Sequence, residues 1–406
     1  MVLIVLAGLL VAGIAYFQVI QGIYSSIIMA ICTTAALALA INYYEPAATM
    51  VYDTGQTGNA QGVMLIALFG VALVLLRVIA DWTLTGNVYF DVWPNRIVSG
   101  AIGLYVGIVC VGVLLVGMQM MNFRDAFFTY RPYKETLRRD QRMAPFFPDE
   151  AVVALADHLS AGPFRGSDRA YSDNHPSLLL ELYAKRNRCP QEREVNEEEL
   201  YEEIGRVDCR PDAMELLGWF DVPADPNEWP SDPLIGEVAP GDPAPRPLAM
   251  RVVVKQTAVD LDEDDEGSYR LPATHFRLVT LDAETGEYHD RYPIGYLTGS
   301  TVTSNRRGGT DPNAEAPWQF HPAPQSGEWA KVGELFVARP WRVNKGPAEL
   351  VVDWVYLLPE GELPQYVTFR RVARAAATAT DAAGNLNVRT YTAEQKADAL
   401  TRRTRR

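Results

Sequence analysis

Basic side chains are almost missing from the first 122 of the 406 residues. Of thirty-seven Lys and Arg only Arg77 and Arg96 fall there, beside four acids, Glu45, Asp53, Asp81 and Asp91. So few charges do not clothe a water-exposed surface, and the stretch calls for an apolar solvent. Cysteine is scarce too. Four residues exclude a disulfide scaffold. Cys32 and Cys110 sit in apolar runs as small buried hydrophobes; Cys189 and Cys209 are left as either a disulfide or two free thiols. There is no C-x-x-C and no zinc spacing. The five histidines, His158, His175, His275, His289 and His321, form no H-E-x-x-H, so no metal site is expected. A phosphate-binding Gly-Lys-Ser/Thr loop and a dinucleotide fingerprint are absent as well. No cofactor is expected, and no enzyme. The net charge of −13 argues against nucleic acid, whose binding needs a basic face to displace counterions.

What is present is grease. Val2 to Ile41 is apolar almost throughout, and as one helix it would be about 60 Å long, twice the roughly 30 Å of a bilayer's hydrocarbon. It must break, and Gln18–Gln21–Gly22 is the polar, flexible place to do so. The expected spans are Val2 to Phe17, Ile23 to Ile41, Val63 to Ile79 and Ile97 to Gly117, with a polar loop over Glu45–Gln61. The first lacks the basic head and small-residue cleavage site of a secretion signal. Tyr43, Tyr44, Trp82, Tyr89 and Trp93 flank these runs, where an amphipathic ring suits a membrane interface. No span has a charge at its centre, against the expectation for a proton relay or ion path. Gly100, Gly103 and Gly107 share one face of the fourth span. Small residues so placed let helices approach closely, inside the bundle or across a homo-oligomeric seam.

Asn95-Arg96-Ile97-Val98-Ser99-Gly100-Ala101-Ile102-Gly103-Leu104, with the hairpin broken at Gln21–Gly22, resembles the colicin V production protein family. The likeness covers about 120 residues and lacks that family's basic residue before Gly22. It implies a bacterial inner-membrane protein tied to toxin production or export, or to envelope homeostasis, with no catalytic residues to carry over. Some relatives append a trypsin-like domain; without a Gly-x-Ser-Gly-Gly segment that activity does not transfer.

Arg77 and Arg96 bracket the third-to-fourth connection and set it in the cytoplasm by the positive-inside rule, so the rest of the chain is expected outside. The six basic residues from Arg124 to Arg142 pull the other way; the resemblance and the cysteine pair favour the outside.

Beyond residue 122 the chain takes on the charge and pattern of a water-soluble protein. Residues 123–220 are expected to be mostly helical, with helices opening at Pro148-Asp149-Glu150 (apolar face Val152, Val153, Leu155 and Leu159), over Leu178–Ala184 and over the acidic Glu194–Ile204. Eight prolines from Pro223 to Pro247 mark a stiff linker over 221–247. Over 248–375 the period falls to two. Strands are expected at Ala249–Gln256, Thr274–Leu281, Tyr288–Leu297, Val332–Ala338, Leu350–Leu357 and Tyr366–Val372, with a hairpin turn at Asp282–Gly286. That pattern suits a β-sandwich of the immunoglobulin-like kind. Residues 376–406 form a basic tail with a short helix near Thr392–Leu400. Asp260–Gly267 places carboxylates alternately but lacks the glycine and glutamate of a calcium loop. The fold class is therefore a transmembrane four-helix unit, then a helical segment, then an all-β domain. Its expected partners are the lipid bilayer, a protein bound by the soluble domain and, on the second reading, further copies of the chain forming a small channel or export component.

Overall fold

The computed structural model describes residues 2–52, 57–84, 91–121, 148–162, 164, 170–186, 209–222, 232, 234–235, 243–255, 269–271, 273–298, 319–322, 336–338 and 349–377. They divide into two compact units, and the division falls after Tyr183.

The first unit begins with four helices long and apolar enough to cross a membrane: α1 (Val2–Gln21), α2 (Ile23–Thr49), α3 (Thr57–Thr83) and α4 (Val92–Met120). The chain breaks at Gly22, where expected. Gly22 adopts φ +85°, a backbone conformation that favours glycine, and the Asn95 side chain packs 3.0 Å from where a Cβ would stand. The helices overrun the expected spans at most ends. The expected loop over Glu45–Gln61 is mostly helix: α2 continues through Pro46 to Thr49 and α3 starts at Thr57. Pro46 costs α2 one ladder bond, but Tyr44 and Ala48 are fully buried by the continuation, and that burial wins.

α4 is the hub, touching α1, α2 and α3. Leu3 and Val11 of α1 meet Val111 and Leu115 of α4 in one core cluster. On the outside, Leu6, Leu9, Leu10, Phe17 and Ile20 of α1 and Val71, Val74, Leu75 and Ile79 of α3 are exposed, a belt that only an apolar medium covers favourably. α2 and α4, 27 and 29 residues long, reach about 40 Å and exceed the hydrocarbon by about 10 Å.

Three further helices belong largely to this unit rather than to a separate soluble segment: α5 (Pro148–Ala161), α6 (Tyr171–Asn174) and α7 (Leu178–Arg186). α5 starts at Pro148 as expected, but its buried stripe is Asp149, Val152, Ala156 and Ser160. Val153, Leu155 and Leu159 are half-buried. The small residues turn inward because α5 lies very close to α4: a Cβ on Gly112 would meet the Pro148 carbonyl oxygen at 2.2 Å.

The second unit is antiparallel sheet. One sheet has strand order β1 (Met214–Asp221), β2 (Arg246–Lys255), β9 (Glu349–Leu358), β6 (Gly295–Thr298), β7 (Gln319–Pro322). The other has β11 (Ala373–Ala376), β10 (Glu362–Phe369), β4 (Phe276–Asp282), β5 (Tyr288–Arg291); β3 (Tyr269–Leu271) pairs with β8 (Phe336–Ala338). Leu248, Met250, Val252 and Val254 of β2, Trp354 and Tyr356 of β9, Phe276 and Leu278 of β4 and Val367 and Phe369 of β10 fill one core shared by the two sheets. The Phe276 and Trp354 rings are 4.8 Å apart across it. The opposite face of β2 and β9 is also buried, with Ala249, Val355 and Leu357 against Val222, Ile294 and Leu297. This double burial explains why β2 reads as an apolar run rather than a clean alternation.

The sheets depart from the pattern of the sequence at several places. β1 occupies the end of the segment expected to be helical, and β2 begins at Arg246, inside the expected linker. The expected single strand Tyr288–Leu297 is two: the chain leaves the four-stranded sheet after Arg291, passes Pro293, and joins the five-stranded sheet at Gly295. Proline lacks the donor a continuous strand would need. The Asp282–Gly286 turn forms as expected: the Asp282 carboxylate accepts from the Glu284 N–H at 2.8 Å, and Gly286 sits at φ +72°. The expected helices Glu194–Ile204 and Thr392–Leu400, and the acidic Asp260–Gly267, lie outside the described residues.

Candidate functional site

The residues singled out from sequence fall into packing roles. A Cβ on Gly103 would stand 2.9 Å from Ala15 Cα, and one on Gly107 would stand 3.0 Å from the Val11 carbonyl oxygen; Gly100 faces Val19. All three press α4 onto α1 within the chain. Gly112 and Gly117 do the same against α5 and α3.

Arg77 donates to the Ser25 carbonyl oxygen at 3.2 Å and to its hydroxyl at 2.9 Å, and pairs with Asp81 at 3.1 Å. It therefore ties α3 to the first turn of α2. Arg96 is exposed in the first turn of α4. Its neighbour Asn95 accepts the Ile23 N–H at 2.7 Å, capping α2 from a helix seventy residues away. Replacing Asn95 by alanine orphans that donor and is expected to cost about 1 kcal/mol. Thermal unfolding in micelles checks it, with Asn95→Asp retaining the acceptor.

One polar constellation among the described residues has no signal in the spacing of the sequence. Glu45 near the end of α2, His175 after α6 and Glu181 on α7 converge. His175 Nδ1 is 2.7 Å from Glu181 Oε2, and its Nε2 is 2.8 Å from Glu45 Oε1. The Tyr44 hydroxyl donates to Glu45 at 3.0 Å and lies 3.1 Å from the Tyr171 hydroxyl; the Tyr171 ring packs 4.9 Å from the imidazole. Tyr44 is thus a buried member of this cluster and not the interfacial ring expected, whereas Tyr43, Trp82 and Trp93 are exposed. α6 is held in place by the Asp173 carboxylate, which accepts the Ala170 N–H at 2.8 Å, and by Ser160 of α5, which accepts the Tyr171 N–H at 3.0 Å.

The cluster's electrostatics follow from its geometry. Burial alone would discharge His175, but the carboxylates of Glu181 and Glu45 outweigh it and raise the imidazolium pKa above the ordinary 6.5. Burial pushes Asp157 of α5 up to about 6, with His175 opposing. Two acids facing two ring nitrogens favour the protonated ring.

The sheets carry a second polar set. On β4, β5 and β10, Arg291 donates from Nε to Glu362 at 2.9 Å and again from its terminal nitrogen, while the Thr280 hydroxyl donates to the same carboxylate at 2.6 Å. On the opposite face of these strands, by the alternation of side chains, Arg277 pairs with Asp290 at 3.3 Å and meets Thr368. Arg251 and Asp353, cross-strand partners on β2 and β9, form a bidentate pair at 2.7 and 2.8 Å. Asp232 is buried, and burial raises it to about 6.

The remaining candidates do not assemble. His275 lies in a turn before β4, His289 and His321 on β5 and β7, and His158 on exposed α5 surface. Among the described residues no three His, Cys, Asp or Glu are placed to hold a metal. Cys209 is a free thiol whose pKa burial pushes up to about 12, chemically quiet; Cys189 lies outside the described residues. No family model, curated protein or solved structure matches the chain.

Proposed function

We propose that this chain is a multi-pass membrane scaffold whose two-sheet unit is presented to protein partners. The Asn95–Leu104 segment and the Gly22 break support placing it with the colicin V production type, in a bacterial inner membrane. That kinship ties the scaffold to toxin production or export, or to envelope homeostasis. The sheets, with their shared core and alternating strands, support a sandwich of the immunoglobulin-like kind. We assign the chain no catalysis.

The observation that carries the scaffold reading is where α4's glycines go. Gly100, Gly103, Gly107, Gly112 and Gly117 each face a segment of the same chain, so close-approach surface is used within the protomer. The competing reading, an oligomeric channel or export component, would need a seam between copies and a polar path. Blue-native sizing and planar-bilayer conductance of the purified protein separate the two. A monomer without conductance is expected; an oligomer that conducts refutes the scaffold. For sidedness, a C-terminal alkaline phosphatase fusion is expected to be active in cells, and an inactive, well-expressed fusion would put the sheets in the cytoplasm.

A further inference from the structure

The Glu45–His175–Glu181 cluster does more than fill space. We infer that it is a proton-operated latch: one proton on the imidazole ties α6 and α7 to the end of α2, and its loss opens the contact on the Glu45 side.

Donors and acceptors set what each protonation state can bind. A protonated imidazole has two N–H groups and satisfies a carboxylate at each, at 2.7 and 2.8 Å. A neutral imidazole has one N–H and one lone pair. The lone pair then faces a carboxylate oxygen at hydrogen-bond distance with no hydrogen between them, which is repulsive. One of the two contacts has to open. Glu181 and His175 are sealed, with side chains 3% and 7% exposed, while the Glu45 side chain is 43% exposed. Water reaches Glu45, so its contact is the one that separates.

Among the described residues, the acids that interact with His175 are Glu45 of α2, Glu181 of α7 and, through its field, Asp157 of α5. The hydroxyls of Tyr44 and Tyr171 complete the ring. All three charged neighbours are acids. Deprotonation therefore removes the positive charge that Glu45 and Glu181 share at the ring.

The direction of the pH effect follows. A histidine whose folded pKa lies above 6.5 contributes its full stabilisation below 6.5 and loses it as pH rises through the raised value. Asp157, raised to about 6 by burial, adds to the same trend, because its ionisation is disfavoured in the folded state. The latch holds in acid and releases in alkali.

Hydrogen exchange of the full chain in nanodiscs tests this, read on the amides of 171–186 and corrected for intrinsic exchange. Opening by loss of one proton makes wild-type protection fall about tenfold per pH unit above the imidazole's raised pKa. Glu45→Gln is the deciding variant. Its amide can accept from the charged ring or donate to the neutral one, so the link stays closed and protection becomes flat in pH. His175→Asn is expected to be open throughout, also flat. Wild-type protection that does not vary with pH, or a Glu45→Gln profile as steep as wild type, overturns the latch. Glu45→Gln decides the matter even if the His175 variant does not fold.

Discussion

Replacing Glu362 by alanine is expected to destabilise the sheet unit by about 3–5 kcal/mol, because it leaves a buried guanidinium without its partner. Arg291 and Glu362 are both buried, and Glu362 also takes the Thr280 hydroxyl. The ion pair itself need not add net stability, since the desolvation of two charges offsets most of their attraction. The loss comes from the orphan. The two effects are separable by experiment: Glu362→Ala should be severe, whereas Glu362→Leu with Arg291→Met, which removes both charges, should recover much of the deficit. Denaturant unfolding of the full chain, followed by hydrogen exchange on the paired amides of β4 and β10, reads both. Equal losses in the single and double variants would mean the pair is itself a net stabiliser. A loss under about 1 kcal/mol in Glu362→Ala would mean that water or the neighbouring Asp232 carboxylate takes the place of Glu362.

How much of this molecule could be read from its residues depends on the range of the interaction. The four apolar helices and the break at Gly22 were legible because composition and one glycine settle them locally. The Asp282–Gly286 turn was legible for the same reason: an Asx acceptor and a left-handed glycine stand four residues apart. Tyr44 and Glu45 look like interface and loop because Pro46 and neighbouring polar residues resemble a helix end; only packing 130 residues away shows why α2 continues. His175 had no local signal, since its two carboxylates lie six residues later and 130 earlier. β1 was missed because Met-Glu-Leu-Leu is also good helix sequence, and its pairing with β2 overrides that preference. Pro293 was a visible warning that Tyr288–Leu297 is not one strand. The glycines of α4 were visible as a face, but which helix lay against it was not.

Gly103→Leu should detach α1 from the bundle. Even a single Cβ there would lie 2.8 Å from Gln18 Cβ, 2.9 Å from Ala15 Cα and 3.0 Å from the Ala15 carbonyl oxygen. Two of those three atoms are backbone and cannot rotate aside, so the helices must separate. Overpacking of this kind costs about 1–3 kcal/mol, and a leucine's further carbons push the effect to the top of that range. Lipid offers no hydrophobic penalty for parting two apolar helices, so close contact is much of what holds α1 in place. Gly13 supplies the control. It lies on α1 with nothing within 4 Å of its would-be Cβ, and Gly13→Leu should leave the fold intact while raising helix propensity. Thermal unfolding in micelles is expected to separate the two variants clearly; equal melting would mean that α1 does not pack on α4 through Gly103. The same pair also tests the seam. If Gly103→Leu left the monomer's melting unchanged yet dissolved a native oligomer, the glycine face would belong between copies of the chain, and the scaffold reading would yield to the channel.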